Sequence, residues 1–196
     1  MVEDVRRLRV GEKRRMNYNG RYAVYLSRRK KVVMIELKAK DKLRSRAVIT
    51  RDLDVKEIKK FLEWLEEREE IVIELDELNR GTLWKKRKRT DLSEKFRKIV
   101  RELGVNERKE IPTYQEKYSI SKMYMVAIAR IMNPRSKSGE TQLRIELRSP
   151  DKPKPVAFIT DYSDYLELKN FIKWLENFKE LINEITKINE TDKVYF

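Results

Sequence analysis

The sequence predicts an α+β fold made of two tandem β(3–4)α repeats, with antiparallel sheets each packed on an amphipathic helix. Three observations predict it. The stretch from Ile35 to Leu75 occurs twice: shifted by 110 positions it falls on Ile145 to Ile185 without a gap, and 17 of the 41 pairs are identical. A match of that length marks one supersecondary unit used twice. Runs with apolar residues at every second position precede each copy of a longer run with apolar residues at every third and fourth position, which are the periods of strand and helix.

In the first half, Tyr22-Ala-Val-Tyr-Leu-Ser27 and Val32-Val-Met-Ile-Glu-Leu-Lys38 alternate with period two, so Val33, Ile35 and Leu37 share a face. Arg28-Arg-Lys-Lys31 between them reads as a hairpin turn, and Arg46-Ala-Val-Ile-Thr50 is a third strand. The second half repeats the pattern in Tyr124–Ala129, Gln142–Leu147 and Val156–Thr160, with the hairpin enlarged to a Pro/Gly/Ser-rich loop, Met132 to Glu140. A further strand is expected before each set, around Arg6 to Tyr18 and around Ile111 to Ile120.

After the third strand, Asp54 precedes Val55, Ile58, Phe61, Leu62 and Leu65, and Asp164 precedes Leu168, Phe171, Ile172 and Leu175. The spacing predicts a helix buried along one side. The two aspartates read as N-caps, since a carboxylate there accepts orphan amides and meets the positive helix end. Phe178, Leu181, Ile182 and Ile185 extend the second stripe. Asp76 to Gly81 reads as a turn and Trp84-Lys-Lys-Arg-Lys-Arg-Thr90 as a basic run. Asp91 to Leu103 reads as a short capped helix closed by Gly104. The resulting division is a first repeat over 1–75, a basic linker with a short helix over 76–107, and a second repeat over 108–196.

Composition narrows the chemistry. The chain has no Cys and no His, so thiolate and imidazole catalysis and the usual zinc sites lack their residues. Its charged fraction is 41%, against roughly 25% in ordinary domains, and a Cys-free chain rich in Lys, Arg, Glu and Ile is the kind found in thermophile proteins. No apolar run reaches the length of a membrane span and Met1-Val-Glu-Asp-Val-Arg-Arg has no leader character, so a cytoplasmic protein with no membrane partner is expected.

The net charge of +14 favours a polyanionic partner, and its distribution sharpens the point. Residues 1–50 hold 16 Lys/Arg against 5 Asp/Glu, while residues 51–75 hold 5 against 9. The second half alternates likewise, 11 against 5 over 108–160 and 5 against 8 over 161–196. Positive charge is expected on the strand layer and negative charge on the helices.

The candidate binding residues follow. If Val33, Ile35 and Leu37 face the helix, the open face carries Met34, Glu36 and Lys38, and in the second half Arg144, Glu146 and Arg148. Arg21 and Tyr25 come from the neighbouring strand, Arg28, Arg29, Lys30 and Lys31 from the hairpin, and Lys40, Lys42, Arg44 and Arg46 continue the positive edge. Arg130, Lys152 and Lys154 are the second-half additions, and Trp84, Lys85, Lys86 and Arg87 form a basic arm or an ordinary charged linker. Such a face suits a single strand, because cations follow phosphates and rings such as Tyr25, with Tyr18 or Tyr22, stack on unpaired bases. The plain alternative is the solvated face that antiparallel sheets normally present. Trp64 and Trp174, equivalent by the repeat, are read as packing residues.

Glu36-Leu37-Lys38 also has the E-x-K form of a metal-dependent nuclease strand, but such a site needs a second carboxylate nearby. No Asp or Glu lies between Glu12 and Glu36, and the second copy reads Glu146-Leu147-Arg148. No metal, cofactor or catalytic residue is expected.

The segments Val32–Lys38, Arg46–Thr50 and Asp54–Leu65, with their copies Gln142–Arg148, Val156–Thr160 and Asp164–Leu175, give the chain a pattern that resembles the Whirly, PUR-repeat and transcriptional-coactivator-type superfamily. The resemblance implies β4α units that pair through their helices, here as an internal pseudo-dimer, and curved sheets that bind single-stranded DNA or RNA. The Whirly family's lysine-glycine motif has no match, so no individual residue is carried over. The expected function is non-catalytic, largely sequence-independent binding of single-stranded nucleic acid, DNA before RNA. The alternatives are a protein-interaction module acting through its helices, including a homodimer through the C-terminal helix, and a Mg-dependent nuclease.

Overall fold

The computed structural model describes residues 2–30, 32–39, 45–81, 90–132 and 139–191. The first half runs α1 (Val2–Arg6), β1 (Lys13–Arg15), β2 (Ala23–Arg29), β3 (Val32–Lys38), β4 (Ser45–Ile49), α2 (Asp52–Glu66) and α3 (Glu69–Arg80). The second runs α4 (Asp91–Glu102), β5 (Arg108–Ile111), α5 (Pro112–Lys117), β6 (Met125–Met132), β7 (Thr141–Arg148), β8 (Ala157–Ile159), α6 (Tyr162–Leu175) and α7 (Lys179–Thr191). The protein is mixed α and β, with antiparallel strand pairing throughout each sheet described below.

Two compact units result, Met1–Lys59 with Leu166–Phe196, and Lys60–Tyr165. Their boundaries fall inside α2 and α6, whereas the sequence reading placed its divisions at 75/76 and 107/108.

In the first unit the strands lie in the order β1-β2-β3-β4. Leu26, Ile35 and Ile49 stand opposite one another across it, as do Val24, Leu37 and Ala47, and all six are buried. Helix α7 lies on β3 and buries Leu181, Ile182 and Ile185, with α1 packed beside it. In the second unit the order is β5-β6-β7-β8, with Ile128, Ile145 and Ile159 in one buried row and Val126, Leu147 and Ala157 in the next. There α3 lies on β7, burying Ile71, Val72 and Leu75, and α4 packs on α3. Each such aliphatic side chain contributes about 1.5–3 kcal/mol on burial, so these sheet–helix layers are the main source of stability. Each sheet is therefore covered by a helix from the other half of the sequence.

One side chain fixes each covering helix to its sheet. In the first unit β4 pairs with β3 only from Ile35 onward, which leaves Val33 without a backbone partner on that side. Asn189 of α7 fills the gap: its amide oxygen accepts from Val33 N–H at 2.8 Å, and its amide nitrogen donates to Val33 C=O at 2.8 Å and Thr50 C=O at 2.7 Å. In the second unit β8 pairs with β7 only from Ile145, and Asn79 of α3 does the same for Leu143 (2.8 and 2.9 Å) and Thr160 C=O (2.6 Å). Asn79 and Asn189 are related by the same 110-residue shift.

Several sequence expectations change. The extra strands are β1 and β5, shorter than expected, and 112–117 is helical instead. Asp76 to Arg80 is no turn but the last part of α3, which ends on Gly81 in the left-handed conformation (φ 65°). The extended apolar stripe of the C-terminal segment breaks at a 3-10 turn over Glu176–Phe178, and its Leu181, Ile182 and Ile185 are buried within this chain.

Asp54 and Asp164 sit on the third residue of their helices, not before the first. From there each carboxylate reaches back: Asp54 accepts from Thr50 N–H (2.8 Å), Thr50 hydroxyl (2.9 Å) and Arg51 N–H (3.2 Å), and Asp164 accepts from Thr160 N–H (2.8 Å) and hydroxyl (2.6 Å). Asp161 is the residue that caps forward, accepting from Asp164 N–H at 2.8 Å. Both reaching-back carboxylates are fully buried, so Asp54→Ala and Asp164→Ala are each expected to cost about 2–3 kcal/mol. The check is a fall in urea midpoint at unchanged denaturant slope.

Candidate nucleic-acid interface

The face of each sheet turned away from its covering helix holds some of the charged residues singled out from the sequence. In the first unit, register places Arg15, Tyr25, Glu36 and Val48 in one row, and Lys13, Ser27 and Met34 in the next. Glu36 is the centre. It is only 2% exposed, and it accepts from Ser27 hydroxyl at 3.1 Å, Ser45 hydroxyl at 2.8 Å and Arg29 guanidinium at 3.1 Å. Burial alone would push its pKa up, but the Ser45 and Ser27 hydrogen bonds and the charges of Arg29 and Lys38 outweigh burial and hold it below the usual carboxylate range.

A crowd of cations surrounds that one carboxylate. The Lys13 ammonium stands 3.8 Å above the centre of the Tyr25 ring. Its pKa is held below the ordinary lysine value, first by partial burial, then by Lys38 as a neighbouring donor and like charge, with Arg29 adding to the repulsion and Glu36 opposing it. Lys13, Arg15 and Arg29 are exposed, and Tyr25 and Lys38 are half-buried. Like charges this close raise the energy of the free protein, and a bound anion relieves it.

The ionised Glu36 gives a test with a definite sign. A depressed folded pKa means stability that is fully present above the unfolded carboxylate pKa and lost as pH falls through the lower folded value. Glu36→Gln is therefore expected to be less stable than the parent protein at neutral pH. The gap should narrow below about pH 4, in thermal melts across a pH series.

The second unit has the same plan with different chemistry. Glu146, 1% exposed, accepts from Arg108 at 3.1 Å and Arg148 at 3.0 Å, and Arg148 also reaches Pro153 C=O at 3.4 Å. Arg144 lies 4.5 Å from the centre of the Phe158 ring. Ala127 stands opposite Glu146 where Tyr25 stands opposite Glu36, and Glu110 stands opposite Ala127 where Arg15 stands opposite Tyr25.

The other sequence-derived candidates fall in varied places. Arg46 (2% exposed) and Arg144 (4%) are on the expected face but buried. Arg28 and Arg130 lie in the helix-facing rows. Arg28 donates to Leu8 C=O at 3.3 Å, and Arg130 donates to Leu103 C=O at 2.9 Å and Val100 C=O at 2.7 Å, at the end of α4. Their cations satisfy backbone carbonyls at the ends of helical segments, a structural use of charge. Arg21 is exposed just before β2, with its own N–H held by Glu167 at 2.8 Å. Lys30 is exposed in the β2–β3 turn with φ 51°. Lys152 and Lys154 lie in the segment after β7, half-buried and exposed respectively. Lys31, Lys40, Lys42, Arg44, Trp84, Lys85, Lys86 and Arg87 lie outside the described residues.

Of the expected stacking rings, Tyr25 is on the face, while Tyr22 lies just before β2 with its N–H donating to Glu167 at 3.4 Å. Tyr18 packs edge-on against Phe171 (6.3 Å between centres) and Trp174 (5.5 Å), and donates to Glu167 at 3.2 Å, while burial and that carboxylate push its own pKa well up. Trp64 is a buried packing residue, stacked with Phe61 and edge-on to Tyr114.

The sequence reading missed Lys13 and Arg15. The signal was present in a second, shorter match: Val5-Arg6-x-Leu8-x-Val10-x-Glu12 repeats as Val100-Arg101-x-Leu103-x-Val105-x-Glu107, shifted by 95 positions. In both places the glutamate accepts a backbone N–H three residues earlier, from Arg9 and from Gly104, and a basic pair follows on the strand.

Among the described residues no group of three or more His, Cys, Asp or Glu is placed to hold a metal ion, and no helix is long and apolar enough to cross a membrane. No protein-family model matches the chain, and no curated protein matches it in sequence.

Proposed function

We propose that this chain is a non-catalytic single-stranded nucleic-acid-binding protein, with single-stranded DNA its first ligand, built as a duplicated β4α unit whose two copies pair internally. The observation that carries the reading is the crowding of Lys13, Arg29 and Lys38 about Glu36, a carboxylate already engaged by Ser27 and Ser45, with Lys13 standing over the Tyr25 ring. A phosphate chain supplies the missing negative charge, and an unpaired base supplies a flat apolar partner for the ring. A duplex hides its bases, so the same face discriminates against it.

Glu36 and Glu146 support the non-catalytic part. Each is buried and bonded to Ser or Arg side chains, which is how a structural carboxylate holds cations in place. The internal pairing is supported by the matched Asn79 and Asn189 bonds, and the duplication by Arg28 and Arg130, which each bond a backbone carbonyl of the segment ahead of β1 or β5. Four strands and a covering helix in each unit also resemble the paired β4α plan of the Whirly and PUR-repeat superfamily. The apolar stripe that favoured a protein partner is filled within this chain, which weakens the interaction-module alternative.

Fluorescence anisotropy with labelled single-stranded and duplex oligonucleotides, at low and moderate salt, tests the reading. The expected result is preference for the single strand, with log affinity falling against log salt at a slope of about −3, since roughly four phosphates are neutralised at ~0.7 per contact. Absence of binding to either form at low salt overturns it.

A further inference from the structure

Resting on that reading, we propose that the two faces are unequal: the first unit alone takes an unpaired base, on the Tyr25 ring, and the base enters by displacing the Lys13 ammonium, which moves to the adjoining phosphate. The second unit contributes cations only.

The inference comes from comparing the faces position by position in the strand register. Where the first unit has Tyr25 opposite its central glutamate, the second has Ala127. Ser27 is matched by Ala129, and Arg15 by Glu110, so the second face loses the ring and exchanges a cation for an acid beside it. Its own ring, Phe158, is buried and already covered by Arg144, whose side chain is buried in turn. Opening that contact would strip a buried cation of its surroundings, which is costly.

The Tyr25 ring is covered differently. Lys13 is carried on a three-residue edge strand, its residue is exposed, and its ammonium is disfavoured first by partial burial and then by Lys38 and Arg29. A cation over an exposed ring is worth about two- to fivefold in an equilibrium. A base on a ring is worth about five- to 150-fold. The exchange thus favours the base, and Lys13 gains a phosphate partner instead of losing one. In the free protein Lys13 holds the place of the base.

The test uses the whole 196-residue chain and a short oligothymidine, with one copy carrying 5-iodouracil at its centre and another an abasic centre. Irradiation of the parent protein with the iodouracil strand, followed by peptide mapping, is expected to give the crosslink at Tyr25. Tyr25→Ala should weaken binding of the ordinary strand about tenfold or more while leaving the strand with the abasic centre bound as before, and Tyr25→Phe should restore the ordinary affinity. Lys13→Gln should keep the Tyr25 crosslink and lower the salt slope by about 0.7, one phosphate contact.

A crosslink on β6, β7 or β8, or a Tyr25→Ala protein that binds the ordinary strand as the parent does, overturns the inference and leaves the nucleic-acid reading standing. Failure of the parent to bind any strand overturns both. The crosslink is read on the parent protein, so it stands even where a variant folds poorly.

Discussion

Asn189→Ala is expected to lower the unfolding free energy by about 3–5 kcal/mol, the largest single-residue effect outside the apolar core. The side chain is buried and satisfies three backbone groups at once, Val33 N–H, Val33 C=O and Thr50 C=O. Alanine leaves all three without a partner beneath α7, and each such orphan costs about 1–3 kcal/mol before any relaxation. Asn79→Ala removes the same three bonds from the second unit, but Asn79 is half-buried, so water reaches the vacated groups and about 2–3 kcal/mol is expected. The measurement is chemical denaturation of the two variants side by side. Equal stability to the parent in both would show that the amides do not hold the helices to the sheets. Against a usual total of about 5–15 kcal/mol, the Asn189 change consumes a large share.

The second large effect concerns binding. Neutralising Lys13, Arg29 and Lys38 together, each to Gln, is expected to reduce the salt slope for a single strand by about 2, at ~0.7 per lost phosphate contact. At low salt the affinity should fall by about two orders of magnitude or more, since each lost charge-assisted contact is worth about 1.5–3 kcal/mol at best and screening reduces it. Folding should survive, because Glu36 keeps its Ser27 and Ser45 hydroxyls after Arg29 is gone. Neutralising Arg21, Lys30 and Lys154, which lie outside the register rows of the first face, should change the slope less. An equal slope change for the two triples would mean a diffuse positive surface with no organised face.

The strand cores were legible because alternation maps directly onto burial: Val24, Leu26, Ile35, Leu37 and Ile49 each occupy the row their spacing predicts. β1 was not, because Lys13-Arg14-Arg15 has no apolar alternation to read and takes its place only through pairing with β2. The repeat hid its own beginning. Seven extra residues before β6 and eight in the β6–β7 hairpin move the offset from 95 to 110, so a single shift finds only the later part.

Burial on the charged face was also out of reach. Period two assigns Glu36, Arg46 and Arg144 to that face, yet it says nothing about which neighbours close over them, and all three are buried. Arg28, from a cation-rich run, and Arg130, from within β6, show the converse: their parity puts them in the apolar rows, where they bond carbonyls. Counting charge along the chain cannot separate these uses, whereas strand register does.

The covering of each sheet by a helix from the other half has a consequence for how the protein is made. Synthesis delivers β1 to β4 well before the helix that closes their apolar row, α7, which follows more than a hundred residues later. Until α7 is made the first sheet has no lid, and its native contacts span well over a hundred residues, as Val33 to Asn189 does. Such long-range closure slows folding and leaves unpaired strand surface exposed in the meantime. The nascent first half has to stay soluble on its own account. The cations that crowd its outer face, which repel other copies of the same chain, supply that protection before they have any ligand to bind.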